Sequence, residues 1–511
     1  MIKKALTSQA IEKLVKSALP EAEMKPATIP DVVALPAFAE KMQALEVLCG
    51  CPYSEIDHNV QDALVLRRLG QMINTMMLNP LWKEAINQAG LTAAPKDYEQ
   101  WQQLPLADKT TQRELFMGNR PGLVVPLSYG RFEIVASGGT SSGPVESVYS
   151  IRELHDTYKI AGDFMGKYML PTYLTGDAPK WMITTLADYQ MWSSGTMVGG
   201  VLQNIPDTNY IGAGPMSKEV YQYMMSYEGP KAIMGISASI ACLTDLGEGM
   251  DQASRDSFRV AMFGSGLVPT RKQAELKEMY PNLVILSYFA ATQAETIGLQ
   301  LSPDSYLASV PGLHLIEIVD EEGRWVKEGE EGDLVITRLH AHEAPLIRFK
   351  LGDRMIRRAN IDLPELKTQQ FEFSGRSGDI IHLNDTQYVA SQAYESLCSE
   401  LKKANVFDLD KLAHDIQFVN HRKDKKLCLI ATVDDVEGMT ARLDSVLGED
   451  GLSPLFIDAL IHSLSLFNKG EANPAYLKNT GYFFSIKLID RQSEELHRTT
   501  VGKVPVIRDV F

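Results

Sequence analysis

The spacing of apolar residues changes along the chain. In residues 1–120 apolar positions recur every three or four residues, as in "VQDALVLRRLGQMINTMML", which is the spacing of an amphipathic helix. The segment "NPLWKEAINQAGL" predicts a helix with Pro80 in its first turn and Gly90 just past its end. The pattern therefore predicts a mostly helical lead-in over residues 1–120.

From residue 121 to about 370, short apolar runs alternate with helical stretches such as "TRKQAELKEMY". This alternation favours an α/β domain whose sheet is at least partly parallel. The segment "GLHLIEIVDEEGRWVKEGEEGDLVITRL" instead predicts two antiparallel strands joined by an acidic loop. The short apolar runs are "GLVVPL", "KWMITTL", "KAIMGI", "FRVAMFG" and "LVILSYF".

After "FEFSGRSGD" the pattern restarts as a smaller α+β unit, with "ASQAYESLCSELKKA" as a helix and "KKLCLIATV" as a strand. The predicted fold class is α/β. It comprises a large N-terminal domain, residues 1–374, with mixed and parallel sheets flanked by helices. A small mobile α+β domain, residues 375–511, follows. The boundary is placed near 375–379, where Gly, Ser and Asp suit a hinge.

Composition and charge narrow the class of protein. A chain of 511 residues is too long for one ordinary core, and its formal net charge of −15 argues against a nucleic-acid or anionic-membrane partner. Five cysteines without metal-ligand spacing fit a reducing cytoplasm. The chain has no run of 18 apolar residues, and "MIKKALTSQAIEKLVKSALPEAE" lacks the core of a signal peptide. The expectation is a cytoplasmic protein.

The first candidate for chemistry is the loop "SGGTSSG", which follows the apolar "IVA" and precedes a predicted strand and helix. Its glycines allow close approach of backbone N–H groups to an anion, and its hydroxyls add neutral donors. It is not a Walker loop, because it contains no lysine. Taken alone, the loop fits a flexible connector better than a phosphate cradle.

Three further segments carry polar groups at turns. Asp353 follows Gly352 between two strand-like runs and suits a ribose diol, although Gly-Asp is also an ordinary turn dipeptide. Arg376 in "FSGRSGDII" suits a phosphate or ribose, or is a surface residue of a linker. Lys503 near the chain end is a solvated residue or a mobile charge brought to a phosphoryl group.

Taken in order, these segments resemble the adenylate-forming superfamily and, within it, the phenylacetate-CoA ligase branch. The resemblance runs from about residue 79 to the C-terminus. The closest match is "EGEEGDLVITRLHAHEAPLIRFKLGD" with the branch pattern "GEEGELVFTTLTKEAMPLIRYRTGD". The other matching segments are "NPLWKEAINQAGL…LPLADKTTQRELF", "ASGGTSSGP", "RVAMFGSGLVPT", "SYFAATQAETIG", "GRSGDIIHLNDTQYVASQAYESL" and "VGKVPVIRD".

The resemblance implies two half-reactions. A carboxylic acid attacks the α-phosphate of ATP, which gives an acyl-adenylate and pyrophosphate. A thiol, commonly that of CoA, then attacks the adenylate. The implied cofactors are ATP and Mg²⁺ with CoA as second substrate, and the implied partner is a small-molecule carboxylic acid. Only the branch suggests a homodimer.

The resemblance also assigns residues. Ser137, Gly138, Gly139, Thr140, Ser141 and Ser142 would hold the β- and γ-phosphates. The adenine would lie along Gly264, Ser265 and Gly266, and Phe289 belongs to the same nucleotide site. Thr292 would contact the α-phosphate, Asp353 the ribose diol with help from Arg376, and Lys503 both the α-phosphate and the acyl carboxylate. Gly378 would be the hinge of the C-terminal domain, and Tyr189, Met191, Trp192, Gly235 and Ile236 lie where the branch builds its acyl pocket.

The chain also departs from the family pattern. Ser142-Gly143 replaces the usual Gly-Lys of the loop, and Gln293 replaces the Glu expected to bind Mg²⁺, a role that Glu295 could take over. Gly378 stands where the hinge residue is usually Asp. The segment 384–387, "NDTQ", replaces an Arg-Gly-Val-Asn segment that lets a pantetheine arm pass.

These departures leave the acceptor open between CoA, a carrier-protein thiol and an amine of a biosynthetic pathway. Aromatic residues in the acyl pocket suit an aromatic acid, but the same residues also suit plain core. A third hypothesis, from another class, is a nucleotide- or acyl-binding protein without turnover. The missing loop lysine and Gln293 favour it, whereas the presence of Asp353, Arg376 and Lys503 together speaks against it.

Overall fold

The computed structural model describes residues 6–91, 94–137, 145–264, 268, 270–376, 380–383, 386–462, 481–498 and 504–510. Several predicted site residues fall outside these ranges, and their roles stay predictions. They are Gly138, Gly139, Thr140, Ser141, Ser142, Ser265, Gly266, Gly378 and Lys503. Arg376 is described for its backbone only.

The chain forms two compact units. The first comprises Met1–Ile236, Gly249–Ser265 and Asn282–Ser374. The second comprises Ser237–Glu248, Gly266–Pro281 and Gly375–Phe511. The predicted domain limits and the hinge stay predictions.

Seventeen α-helices occur in the described residues. Those of the first unit are α1 Ser8–Ala18, α2 Ile29–Ala34, α3 Phe38–Cys49, α4 His58–Met76, α5 Pro80–Gln88, α6 Tyr98–Trp101, α7 Lys109–Phe116, α8 Ile151–Tyr168, α9 Ser194–Leu202, α10 Lys218–Met225 and α13 Gln252–Ser257. Those of the second are α11 Ser237–Ala241, α12 Leu243–Leu246, α14 Thr270–Met279, α15 Ala390–Lys403, α16 Leu409–Leu412 and α17 Val436–His462. Within α17, Gly448 has a φ of 61° and separates two helical stretches.

The strands of the first unit are β1 Phe132–Ser137, β2 Val145–Ser150, β3 Trp181–Thr184, β4 Asn209–Gly212, β5 Lys231–Ile236, β6 Phe258–Gly264, β7 Val284–Ala291, β8 Glu295–Gln300, β9 Leu307–Ser309, β10 His314–Val319, β11 Glu331–Arg338, β12 Phe349–Leu363 and β13 Leu366–Arg376. Those of the second are β14 Ile380–Leu383, β15 Thr386–Val389, β16 Ile416–His421, β17 Lys426–Thr432, β18 Phe483–Ile489 and β19 Ile507–Val510.

The central feature of the first unit is an eleven-stranded mixed sheet in the order β10-β11-β12-β13-β9-β8-β7-β6-β5-β3-β4. Its β4-β3-β5-β6-β7 half is parallel, and its β7-β8-β9 and β10-β11-β12 neighbours are antiparallel. The parallel strands are almost continuously apolar and buried, as expected where helices cover both faces. The predicted α/β fold class is confirmed.

The helical lead-in packs around one apolar cluster that contains Phe38, Leu64, Ile73 and Trp101. Pro80 is the first residue of α5, and the glycine predicted to follow this helix, Gly90, has a φ of +76°. The periodicity and the punctuating residues of this segment therefore predicted the observed helices.

The short apolar run "GLVVPL" does not form a strand as the other runs do. Val124 and Val125 both donate their backbone N–H groups to the carbonyl oxygen of Glu343, at 2.9 and 3.2 Å, instead of forming a strand ladder. Pro121 and Pro126 have no N–H to offer a neighbouring strand. Because both valines are buried, tertiary packing accounts for the apolar run that sequence patterning attributes to a strand.

The second unit contains a four-stranded sheet in the order β18-β17-β16-β19 and a two-stranded β14-β15 hairpin. Helices α15 and α17 contribute Leu397, Leu401, Phe456 and Leu460 to its apolar core. The sequence predicts such a smaller C-terminal unit of helices and strands. None of the helices in the described part of the chain combines the length and apolar character needed to cross a membrane.

Candidate active site

Four parallel strands end at one edge of the large sheet, and predicted site residues lie at each end. Residues Ile236 of β5 and Gly264 of β6 are paired in register, and Phe263 of β6 is paired with Ser287 of β7. The carboxyl ends of adjacent parallel strands are the usual ligand-binding edge of an α/β sheet. At or just beyond these ends lie Tyr189, Trp192, Gly235, Ile236, Gly264 and Phe289.

Tyr288 joins the ends of β5, β6 and β7. Its hydroxyl donates to the carbonyl oxygen of Gly235 at 3.2 Å, and its ring covers the backbone of Gly264. A Cβ atom at Gly264 would lie 2.6 Å from the ring of Tyr288, so only glycine fits there without a shift of the aromatic side chain. The predicted adenine-binding and acyl-pocket segments are therefore held together by one buried side chain.

Thr292 and Gln293 lie in the tight turn that joins β7 to β8. Ala294 donates its N–H to the carbonyl oxygen of Ala291 at 3.0 Å, and Ala291 pairs with Glu295 across the hairpin. Thr292 is half-buried, whereas Gln293 and Glu295 are buried. The 292–295 turn therefore presents a hydroxyl, an amide and a carboxyl group at the end of β7.

Glu295 is the most strongly perturbed group of this turn. Its φ of +51° is unusual for a residue with a side chain, and its Oε2 accepts a 2.5 Å hydrogen bond from the Thr157 hydroxyl. Its Oε1 is buried with no hydrogen-bond partner among the described residues. Burial raises the pKa of Glu295 to about 7.

These residues fit a magnesium ion brought by a nucleotide. Mg²⁺ in nucleotide sites is usually held by phosphates, water and one or two carboxylates, and Glu295 Oε1 would be available as one such oxygen. In the part of the chain that the structure describes, no cluster of three or more His, Cys, Asp or Glu could hold a metal alone. The Gln293 amide nitrogen is also buried without a partner there, and its amide oxygen is a weaker ligand than a carboxylate.

The loop "SGGTSSG" is flanked by two strands that pair with each other. Ser137 ends β1, Val145 begins β2, and these two residues pair with each other in an antiparallel hairpin. On one side the Ala136 N–H donates to the carbonyl oxygen of Met191 at 2.8 Å. On the other, the Tyr149 hydroxyl donates to the carbonyl oxygen of Thr292 at 2.7 Å. The hairpin therefore lies between the two turns that follow β3 and β7.

The turn after β3 projects side chains to solvent. Tyr189 and Trp192 exchange backbone hydrogen bonds of 2.9 and 2.8 Å, and Gln190 and Met191 between them have positive φ. Tyr189 is 49% exposed and Met191 50%. Plain core is therefore the wrong interpretation for these two residues, while Trp192 is half-buried.

Asp353 comes from the other half of the sheet. It is buried on β12, on the face that also carries Leu351 and Met355. Both of these apolar residues pack in one cluster with Ala294 of the 292–295 turn. The fold therefore directs Asp353 to the sheet face that receives this turn, and its assignment to a ribose stays a prediction.

Sequence analysis missed a buried polar group beside the 292–295 turn. The Arg338 guanidinium stacks 4.0 Å from the centroid of the Tyr149 ring, and its Nε lies 3.3 Å from Oε1 of Glu153. Burial raises the pKa of Glu153 to about 8, and burial raises that of Tyr149 well above its usual value. Only the spacing Ser150-x-x-Glu153, typical of a helix start, marked this region in the sequence.

No family model and no curated protein matches the chain. Solved structures do. A 2-hydroxyisobutyryl-CoA ligase in the postadenylation state, in complex with 2-HIB-AMP, superposes with a TM-score of 0.67 at 14% identity, over 89% of this chain and 90% of that one. The acyl acid amido synthetase AtGH3.15, in complex with 2,4-DB, superposes with a TM-score of 0.62 at 12% identity, over 95% of each chain.

The chain has the fold of adenylate-forming enzymes. Identities of 12–15% establish this fold and nothing finer. The predicted likeness to adenylate-forming enzymes is thereby confirmed at the level of the fold. The phenylacetate-CoA ligase-like branch stays a prediction.

Proposed function

We propose that the protein activates a carboxylic acid with ATP, releasing pyrophosphate and forming an acyl-adenylate that is then passed to a nucleophile. The observation that carries this proposal is the convergence of the predicted nucleotide and acyl segments at the carboxyl ends of β3, β5, β6 and β7. The fold shared with the CoA ligase and the amido synthetase supports it.

The chemistry explains why ATP is needed. A carboxylate is a poor electrophile, whereas AMP is a good leaving group, so adenylation makes the acyl carbon open to attack. The acid and ATP must be held in line, and negative charge on the α-phosphate must be balanced. In this proposal Thr292 contacts the α-phosphate, Asp353 binds the ribose diol, and Lys503 approaches the α-phosphate and the acyl carboxylate.

Mg²⁺ supplies charge neutralisation for the phosphates when it is bound. Of this chain's own residues, Glu295 would hold it through Oε1, the oxygen not occupied by Thr157. Because burial raises the pKa of Glu295, a nearby cation would favour its ionised form. The exposed Tyr189 and the half-buried Trp192 would contact an aromatic acid beside β1.

We propose CoA as the first acceptor to test and an amine as the second. The fold is shared with an amido synthetase as well as with a CoA ligase, so an amine is kept as an acceptor beside CoA. The sequence at 384–387, where Asp385 and its neighbours replace the segment that admits a pantetheine arm, points the same way. A carrier-protein thiol is the third acceptor.

Acid-dependent ATP–pyrophosphate exchange, measured over a panel of aryl and aliphatic acids, tests the proposal. Exchange is expected with at least one acid and is expected to fall by about 10²-fold or more in Lys503→Ala, because Lys503 balances transition-state charge. The matched control is Lys423→Ala, an exposed lysine of the second unit. Lack of exchange with every acid would support the binding-protein hypothesis instead.

A second assay identifies the acceptor. The acid that gives the fastest exchange is incubated with ATP and either CoA, a set of amino acids or a carrier protein that bears a free pantetheine thiol, and the product is identified by mass spectrometry. A thioester with CoA supports the ligase. An amide without thioester supports the amido synthetase alternative.

A further inference from the structure

One continuous strand–helix segment holds both sides of the 292–295 turn. Strand β2 ends at Ser150, whose hydroxyl accepts from the Glu153 N–H and so caps α8. Tyr149 lies at the end of this strand and Thr157 lies two turns into the helix. The segment therefore has no flexible link between the two residues that contact the turn.

The first contact is made through a backbone carbonyl. Tyr149 is fully buried, and its hydroxyl donates to the Thr292 carbonyl oxygen at 2.7 Å. Burial raises the pKa of Tyr149, so the hydroxyl remains a donor throughout the physiological range. This bond fixes the backbone of the residue that is assigned to the α-phosphate.

The second contact is made through a side chain. The Thr157 hydroxyl donates to Glu295 Oε2 over a short distance of 2.5 Å. It fixes the residue at the far end of the turn, whose backbone has the unusual φ of +51°. The turn is thus held at Thr292 and at Glu295 by the same strand–helix segment.

Arg338 holds the strand–helix segment of β2 and α8 in place. Its Nη2 donates to the carbonyl oxygens of Val148 and Ala344 at 2.9 and 2.8 Å, while its guanidinium covers the Tyr149 ring. A buried guanidinium with two carbonyl acceptors, a ring and the nearby Glu153 is costly to move. The Tyr149 ring is therefore placed before any ligand binds.

We propose that Tyr149 and Thr157 are positioning residues of the acid-activating site. The inference rests on the proposed function, in which Thr292 contacts the α-phosphate, and on the resemblance, which assigns the β- and γ-phosphates to Ser137 and residues 138–142 of the loop that follows it. Since β2 starts directly after that loop, Tyr149 couples the loop's strand to the Thr292 turn. In-line attack requires the α-phosphate and the leaving pyrophosphate to keep a fixed relation, and small misplacements are costly.

Tyr149→Phe keeps the ring under Arg338 and removes only the hydroxyl. We expect kcat for acid-dependent ATP–pyrophosphate exchange to fall about 3- to 10-fold, the range of one neutral hydrogen bond, with the KM for the acid unchanged. The matched control is Tyr280→Phe. Tyr280 is equally buried and donates its hydroxyl to the carbonyl oxygen of Leu243 at 2.6 Å, among residues with no assigned role in the site. It is expected to lower the unfolding temperature comparably and leave kcat unchanged.

Thr157→Val and Thr157→Ser provide an independent pair of variants. Valine removes the donor to Glu295 and is expected to lower kcat, whereas serine keeps the hydroxyl and is expected to restore it to within about twofold. If Tyr149→Phe does not fold, this pair decides the proposal.

The two levels of the proposal fail differently. A wild-type protein that exchanges pyrophosphate with no acid overturns the proposed function and, with it, this inference. A wild-type protein that exchanges, together with unchanged kcat in Tyr149→Phe and in Thr157→Val, overturns the inference alone. Equal losses of kcat in Tyr149→Phe and Tyr280→Phe would also overturn it, because the effect would then follow stability.

Discussion

The guanidinium of Arg348 lies 3.3 Å from the carboxylate of Glu317, and both side chains are excluded from solvent. Glu317 also accepts hydrogen bonds from the indole N–H groups of Trp101 at 3.1 Å and Trp325 at 2.8 Å. Arg348 donates to the carbonyl oxygens of Gln102, Leu104 and Gly323, each at 2.6 Å. The pair thereby joins the end of the helical lead-in to the mixed sheet.

Arg348→Met is expected to destabilise the protein by about 3–5 kcal/mol, because it leaves the buried Glu317 carboxylate without its counter-charge. Denaturant unfolding followed by tryptophan fluorescence measures this loss, and Trp101 and Trp325 report on the pair directly. The control is Arg324→Met, which breaks exposed pairs with Asp320 and Glu322 and should cost less than about 1 kcal/mol. Similar losses in both variants would show that the buried pair of Arg348 and Glu317 contributes no more to stability than an exposed pair.

The same segment shows how far sequence reasoning reaches. The sequence marked Asp353 but predicted a turn there between two strand-like runs, whereas one strand, β12, runs through both Gly352 and Asp353. The role of Arg348 could not be predicted, because its partners come from β10 and from the loops around Gln102 and Gly323. A charged residue in a motif shows its partners only when the tertiary fold brings them together.

The candidate site also has one part that the sequence predicts and another part that it does not. Short apolar runs and their punctuating residues located the strand ends where Gly235, Gly264 and Phe289 lie, because strand periodicity is a local property. The bond from Tyr149 to Thr292 joins residues far apart in the chain, and no local pattern reports it. The run "GLVVPL" is buried without forming a strand, because burial alone does not specify a strand.

Asn79 caps α5 and also bonds to a second segment of the chain, so we expect it to contribute more to stability than an ordinary helix cap. Its Oδ1 accepts from the Leu81 and Trp82 N–H groups at 2.9 and 3.4 Å, and its Nδ2 donates to the carbonyl oxygens of Pro121 and Leu123 at 2.8 and 2.9 Å. Asn79→Ala should therefore cost about 2–3 kcal/mol, whereas a cap alone contributes about 1 kcal/mol.

Two variants separate the contributions of Asn79 in urea unfolding. Asn79→Ser retains the cap and should recover about 1 kcal/mol of the loss. Ser217→Ala removes an exposed cap of α10, which also hydrogen-bonds the Glu219 side chain in the first turn of the same helix, and should cost only about 0.5–1 kcal/mol. If Asn79→Ala costs no more than Ser217→Ala, the bonds to Pro121 and Leu123 contribute nothing.

His340 is expected to make the fold sensitive to acid. Burial, with the nearby Arg68 charge, lowers its pKa to about 3 from the usual 6.5, while its Nε2 lies 3.0 Å from the carbonyl oxygen of Gly312. The unfolded chain therefore binds this proton first, so stability is lost as the pH falls from about 6.5 towards 3. At pH 5.0 the expected cost is about 2 kcal/mol.

His340→Gln keeps an N–H donor for Gly312 and does not titrate. The difference in free energy of unfolding between pH 7.5 and pH 5.0 should shrink by about 2 kcal/mol in this variant. His155→Gln is the matched control, because the His155 side chain is 80% exposed, and it should leave the difference unchanged. Equal pH dependence in the wild type and His340→Gln would contradict the assignment.

The loop sequence Ser142-Gly143 is expected to limit pyrophosphate binding, because the related motif carries a lysine at the second position. Both residues lie outside the described part of the chain. Gly143→Lys should lower the KM for pyrophosphate in the exchange assay about 3- to 10-fold, the lower part of the range for a charge-assisted hydrogen bond. The gain should diminish as ionic strength rises. Gly143→Gln has a side chain of similar reach without charge and should show no gain, so equal KM values in the two variants would mean that charge at this position does not reach the phosphates.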